Sequence, residues 1–200
     1  PSLTIGDAGA EDTKIVFDGN AQDYHIGLDD SSDKLVIGLG SALGTTSHIV
    51  CDAAGTVTKP LNPAFHIYQS TTGSITNDTS LFASNLTERY DVNADMSTSG
   101  VFTAPVTGKY YFSVGTICES VGDGEYVKPR IVASNRTLQA NTRAVYEDDA
   151  TGYSDYFCTQ GSVVVDMDTS DTCHVNVHTN ATLTTTSNTE YMYFAGCLIG

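Results

Sequence analysis

The stretch that most constrains the fold is Gly100–Cys118, in which apolar and polar residues alternate with a period of two. This alternation is typical of a β-strand that buries one face. Pro105 and Gly108 interrupt the pattern, since proline cannot donate to a strand ladder and glycine tolerates a turn. We therefore predict two short strands that meet at a corner and bury one face in a sandwich core. The predicted core-facing residues are Phe102, Ala104, Val106, Tyr110, Phe112, Val114 and Cys118.

The same stretch carries a family motif together with residues upstream of it. The motif consists of Asn85, Tyr90, Phe102, Pro105, Gly108, Tyr110 and Phe112. It resembles the signature of the globular head of the complement q subcomponent, in the tumour-necrosis-factor-like jelly-roll superfamily. Two departures are a longer gap between Tyr90 and Phe102, and Val114 where an aromatic residue is usual. The resemblance covers residues 63–200 and implies a jelly-roll β-sandwich and a homotrimer, but a fold alone does not define a function.

Composition agrees with an all-β protein and excludes several classes of partner. Short apolar runs alternate with Gly, Asp and Asn, and no long segment has a helical apolar period. The net charge of −15 argues against binding to nucleic acid or to anionic lipid. No apolar run is long enough for a membrane span, so we expect no membrane insertion.

Five cysteines are present, with no CxxC pair that would indicate a zinc site. Cys118 and Cys197 lie in apolar, strand-like runs, where we expect small buried side chains. This pattern favours folding in a reducing compartment. A disulfide between Cys158 and Cys173 is the alternative.

Residues 1–60 differ from the rest of the chain. Apolar runs about ten residues apart begin at Ile15, His25, Leu35 and His48, and each is too short for a stable sheet by itself. We therefore expect an attachment or shaft segment whose strands borrow partners. Residues 15–30 also resemble segments of phage and marine-virus fibre proteins. Two prolines in residues 59–63 mark a boundary, so we predict a segment at 1–60 and a jelly-roll head at 63–200.

The closing strand, in residues 191–200, is apolar on both faces. One face carries Met192, Phe194, Gly196 and Leu198, and the other carries Tyr191, Tyr193, Ala195, Cys197 and Ile199. A strand of an antiparallel sandwich normally shows one face to water. The sandwich core covers one face, and we predict that a subunit interface covers the other. The predicted trimer-interface residues are Tyr191, Tyr193, Cys197 and Ile199.

No catalytic constellation or cofactor motif is recognisable in the sequence. Glu147, Asp148 and Asp149 are the first choice for a calcium site, although solvated loop acids are the favoured interpretation of every acidic cluster. His174 and His178 share a strand face but lie roughly 13 Å apart, too far to share a metal. Paired carboxylates for glycoside cleavage remain an open alternative.

These patterns together predict a non-enzymatic, trimeric virion fibre or appendage protein. Its head would bind a glycan or protein on a host cell surface, and its N-terminal segment would attach to other virion proteins. We expect no cofactor, and a location on the virion surface. The alternatives are a secreted adaptor or lectin resembling complement heads, and a fibre-borne polysaccharide depolymerase.

Overall fold

A computed structural model describes residues 1–119, 121–122, 124–140, 143–144, 156–187 and 190–200. The chain divides into two compact units, Pro1–Asn62 and Pro63–Gly200. The described residues form β-strands, turns and one short 3₁₀ turn at Val92–Ala94, so the predicted all-β class is confirmed. Among them, no helix is long and apolar enough to cross a membrane.

The N-terminal unit is an antiparallel meander in which each strand pairs with the next. Its strands coincide with the short apolar runs of the sequence. They pair with one another, so the expectation that they borrow backbone partners from elsewhere was wrong: short turns bring neighbouring strands together locally. The strands are β1 (Thr13–Phe17), β2 (Tyr24–Asp29), β3 (Lys34–Leu39), β4 (Ser47–Cys51) and β5 (Val57–Thr58).

The second unit, which we call the head, consists of two sheets. The first sheet has the order β10-β16-β12-β13, with β14 paired to β12 and β8 paired to β16. The second has the order β7-β17-β11-β18-β6-β9, with β15 paired to β11. The strands are β6 (Ala64–Gln69), β7 (Gly73–Ile75), β8 (Thr79–Ser80), β9 (Leu86–Asp91), β10 (Phe102–Thr103), β11 (Gly108–Glu119), β12 (Tyr126–Ala133), β13 (Arg136–Gln139), β14 (Arg143–Ala144), β15 (Phe157–Met167), β16 (Thr172–Thr179), β17 (Leu183–Thr185) and β18 (Tyr193–Leu198).

The corner at Pro105 carries the chain from one sheet to the other. β10 belongs to the first sheet and β11 to the second, and β11 extends for 12 residues rather than being short. Six of the seven predicted core-facing residues are buried. Val106 is 45% exposed, because it lies in the corner between the strands and not in either ladder.

Aromatic rings from both sheets fill the core. Phe65 stacks on Phe102 with ring centroids 5.0 Å apart, and it meets Phe194 edge to face at 4.9 Å. Phe112 lies 5.7 Å from Phe102 and from Phe194. Since Phe65 and Phe102 belong to different sheets, these contacts hold the sandwich together.

The five cysteine thiols are free. Cys118 and Cys173 are buried, and burial raises the pKa of the Cys118 thiol to about 12, with a further increase from Cys158. Cys158 lies on β15 and Cys173 on β16, in different sheets, and the alternative disulfide between them is absent. Cys197 is only half-buried, because it lies on the outer face of β18.

Candidate subunit interface

The closing strand β18 has one face in the core and one on the outside of the head. Phe194 is fully buried, as is Met192 just before the strand. Gly196 is needed on the inner face, because a Cβ there would come within 2.5 Å of the Phe112 ring. On the outer side, Tyr193 is half-buried and Ile199 is 55% exposed. The two faces of this strand therefore alternate as the sequence predicts.

Neighbouring strands extend the outer face of β18 with further rings. The register pairs Tyr193 with Tyr68 of β6, and His66 of β6 with Tyr90 of β9. On the other side of β18, Tyr111 of β11 is paired with Cys197. Because directly paired residues of an antiparallel sheet point to the same face, these side chains form one continuous surface. We call it the aromatic face: His66, Tyr68, Tyr90, Tyr111 and Tyr193.

His66 lies between two other rings of the aromatic face, and Tyr68 has a cationic neighbour. The ring of His66 lies 5.7 Å from that of Tyr193 and 6.0 Å from that of Tyr90, measured between centroids. The guanidinium carbon of Arg89 lies 5.3 Å from the centre of the Tyr68 ring, within cation–π range. The surface is thus an ordered cluster rather than a set of isolated exposed rings.

A glycine of β11 positions Tyr193. A Cβ on Gly115 would lie 2.4 Å from the Tyr193 ring and 2.6 Å from the backbone oxygen of Tyr191. The absence of that Cβ lets the tyrosine lie across β11, where its hydroxyl is 3.4 Å from Oγ of Ser113.

His66 has unusual electrostatics for a residue near the surface. Its Nε2 atom is buried without a hydrogen-bond partner. Burial lowers the pKa of His66, and the positive charge of Arg89 lowers it further. The imidazole is therefore neutral at neutral pH, which suits a surface that is to be covered by apolar and aromatic groups.

Sequence reasoning identified the closing strand but missed the residues beside it. In the sequence Tyr90 belongs only to the fold motif, yet its side chain is 50% exposed on the aromatic face. No sequence motif includes His66 or Tyr68. Phe65 and Ile67, which alternate with them along β6, point into the core. That alternation predicts the outward direction of His66 and Tyr68, but not which strands lie next to them.

The other motif residues support the fold. Asn85 adopts a left-handed backbone with φ of 61°, and its carbonyl accepts hydrogen bonds from the backbone N–H and the hydroxyl of Ser70. Gly108 begins β11 where a Cβ would come within 2.7 Å of Leu198. The hydroxyl of Tyr110 donates to the carbonyl of Val106, which secures the Pro105 corner.

The described residues offer no group of three or more His, Cys, Asp or Glu side chains arranged to hold a metal ion. The calcium candidates Glu147, Asp148 and Asp149 lie outside the described residues. His178 is hydrogen-bonded to Asn77 and Tyr126. Asp166 forms an ion pair with Arg136 at 2.8 Å.

Comparison with known proteins identifies the head. The family model of the C1q domain matches residues 64–199. No curated protein matches the chain in sequence. Two solved structures with a similar fold are the globular domain of zebrafish complement 1qA protein and the Eiger TNF of S. frugiperda.

The zebrafish domain is 16% identical with a TM-score of 0.50, and the match covers 70% of this chain and 98% of that one. The Eiger structure is 11% identical with a TM-score of 0.54, covering 70% of this chain and 93% of that one. At these identities the structural likeness shows the jelly-roll fold alone. The family model, which spans more than half of the chain, shows that this protein belongs to the C1q domain family.

Proposed function

We propose that the protein is a non-enzymatic homotrimer whose three C1q-domain heads bind a ligand on a cell surface. The observation that carries this proposal is the aromatic face. The inner side of β18 already fills the core, so its apolar outer side needs a second partner. A closed ring of three gives every copy the same pair of contacts and leaves no open end.

The chemistry of the aromatic face suits a protein interface. Tyrosine and arginine are enriched at interfaces because they combine large contact area with a polar group. Tyr90 and Tyr111 are each at least 40% exposed, and Tyr68 carries Arg89 over its ring. Burying a large apolar side chain stabilises an assembly by about 1.5–3 kcal/mol. Several such residues per copy can hold an obligate oligomer.

The proposed setting is the surface of a virion, where the chain would be part of a fibre or appendage. The resemblance of residues 15–30 to fibre proteins supports this setting. The N-terminal unit would attach to other virion proteins. Loops of the head, rich in Tyr, Asn and Thr, would bind a host glycan or protein by stacking and hydrogen bonding.

A secreted adaptor or lectin is the second candidate, and two observations favour it. The C1q domain match extends over the whole head. In addition, all four asparagines of Asn-x-Thr sequons are exposed, as glycosylation requires: Asn77, Asn85, Asn135 and Asn180. Neighbouring genes for virion proteins would exclude this candidate. Glycans on the native protein would instead exclude a location on the virion of a bacterial virus.

Binding to intact cells tests the proposal. Full-length protein should bind susceptible cells without removing their surface glycan, and the Tyr193→Asp variant should bind about 10²-fold more weakly because three linked heads gain avidity. The control is Tyr126→Asp, the same substitution on the outer face of the first sheet. Equal binding by all three proteins would contradict a trimeric binding function, and loss of glycan would show a depolymerase instead.

A further inference from the structure

The N-terminal sheet has one face made almost entirely of apolar side chains. Its register aligns one isoleucine from each of four neighbouring strands: Ile15, Ile26, Ile37 and Ile49. Directly paired residues point to the same side, so the rows on either side of these isoleucines share their face. We call it the isoleucine face. Its members are Thr13, Ile15, Phe17, Tyr24, Ile26, Leu28, Leu35, Ile37, Leu39, Ile49, Cys51 and Val57.

This face is open to solvent in the single chain. Seven of its large side chains are between 37% and 62% exposed: Ile15, Phe17, Tyr24, Leu28, Leu35, Ile37 and Val57. None of its strand positions carries a charged residue. A contiguous apolar surface of this kind is a mark of an interaction site.

The opposite face of the same sheet is covered by the unit's own loop, residues 40–46. Lys14 Nζ donates a hydrogen bond to the carbonyl of Ser41 at 2.6 Å, and His25 Nδ1 lies 2.8 Å from the carbonyl oxygen of Gly40. Val36 and His25 are at most 2% exposed on this side. A Cβ on Gly38 would lie 2.4 Å from the Thr46 carbonyl oxygen, so the loop is close to the strand. The loop therefore occupies the face that is less apolar.

Charge narrows the choice of a partner for the isoleucine face. Residues 1–62 contain nine Asp or Glu and three Lys, a net charge of −6. An anionic membrane or a nucleic acid would be repelled. The isoleucine face itself carries no charged residue, so packing against the same face of another copy buries no charged side chain, although each copy carries the same net charge of −6.

The area of the isoleucine face bears on how stable its contact with another copy is. Five strands of about five residues present roughly 400 Å² of sheet surface. This is about half of what each partner contributes to a stable interface between free proteins. The area needed is smaller when the copies are already joined through their heads. A short covalent connection to the head then raises the effective concentration of the N-terminal units to about the millimolar range. The N-terminal unit continues directly into the head at Asn62–Pro63.

We infer that the isoleucine face packs against the same face of the other copies in the assembly, forming a second, intersubunit core in the N-terminal unit. This inference rests on the homotrimer proposed above. It also assigns a role to this unit: its strands pair within one chain, but the side chains of the isoleucine face are buried only between chains.

Tryptophan fluorescence tests the inference, because the chain contains no tryptophan. Ile37→Trp places a probe at the centre of the isoleucine face, and Tyr24→Trp places one there with a more conservative change. Val16→Trp is the matched control, because Val16 lies on the opposite face in the edge strand β1, where the loop leaves it 36% exposed. In the full-length trimer, the two probes on the isoleucine face should emit at shorter wavelength and be quenched several-fold less by acrylamide than the control.

The mass of each variant, measured by light scattering in the same samples, distinguishes a failure of this inference from a failure of the proposed trimer. A trimer in which both probes are quenched as readily as the control would overturn the inference and leave the proposed trimer intact. A monomer would overturn both. In the Tyr193→Asp background, which should be monomeric, the probes should become accessible. Continued shielding there would overturn the inference, because the cover would then not be another copy.

Discussion

At the scale of single residues, Phe112 lies in the middle of the head core. Its ring is fully buried within 6.2 Å of the rings of Phe65, Phe102, Tyr110 and Phe194, measured between centroids. We expect Phe112→Ala to lower the free energy of unfolding by about 3–5 kcal/mol, since the lost contacts leave a cavity. Urea-induced unfolding measures this change.

Lys109→Ala is the control, because Lys109 lies on the same strand with its side chain in solvent. It should change the free energy of unfolding by less than about 1 kcal/mol. Equal effects of the two substitutions would mean that the register of β11 is shifted by one residue, since such a shift exchanges the two faces.

His66 gives the aromatic face a predicted dependence on pH. Its folded-state pKa lies below the ordinary value of 6.5, first because of burial and second because of Arg89. The unfolded chain therefore binds a proton at higher pH than the folded one, so stability falls as the pH falls through 6.5. We expect the melting temperature to decrease between neutral pH and about pH 5 by more in the wild type than in His66→Gln.

The comparison isolates His66, because His174, whose pKa is also lowered by burial, and Asp95, whose pKa is raised by burial and by Asp91, are present in both proteins. If the melting temperature falls with pH by the same amount in the wild type and in His66→Gln, His66 is not the source of this pH dependence.

At the scale of elements, the N-terminal sheet should be unstable when isolated. Within residues 1–62 only His25, Val36 and two glycines are buried, so little apolar surface opposes the entropy of the unfolded chain. A peptide of residues 1–62 should show no cooperative thermal transition by circular dichroism. A cooperative transition of this peptide as a monomer would show that the sheet needs no other copies.

The positions of the strands could be predicted from local sequence, but their neighbours could not. The apolar runs located β1 to β4, and alternation located the inward residues of β11. Alternation is a local property of the chain. Val106 was misplaced because the pattern continues through the Pro105 corner, where the chain leaves one sheet for the other.

The candidate interface was predictable only in part, for the same reason. The two apolar faces of β18 are visible in the sequence, and they led to Tyr193. His66 and Tyr90 join the surface because β9, β6 and β18 are adjacent in the sheet, although β9 and β18 are far apart along the chain. The isoleucine face depends likewise on register, since four isoleucines align only when the turns set the pairing.

At the scale of the whole molecule, we propose that the protein is a homotrimer held by the aromatic face. Tyr193→Asp would place three carboxylates in the interface of a chain that already carries a net charge of −15. Their repulsion and desolvation should cost several kcal/mol per trimer, enough to dissociate it. Tyr126→Asp introduces the same charge on the outer face of the first sheet and should leave the assembly intact.

Light scattering of the full-length protein at micromolar concentration tests the proposed trimer. We expect three times the chain mass of 21.2 kDa for the wild type and for Tyr126→Asp, and a single chain mass for Tyr193→Asp, with the melting transition of the head retained. A wild-type protein that is monomeric at this concentration, or a Tyr193→Asp variant that remains trimeric, would contradict it.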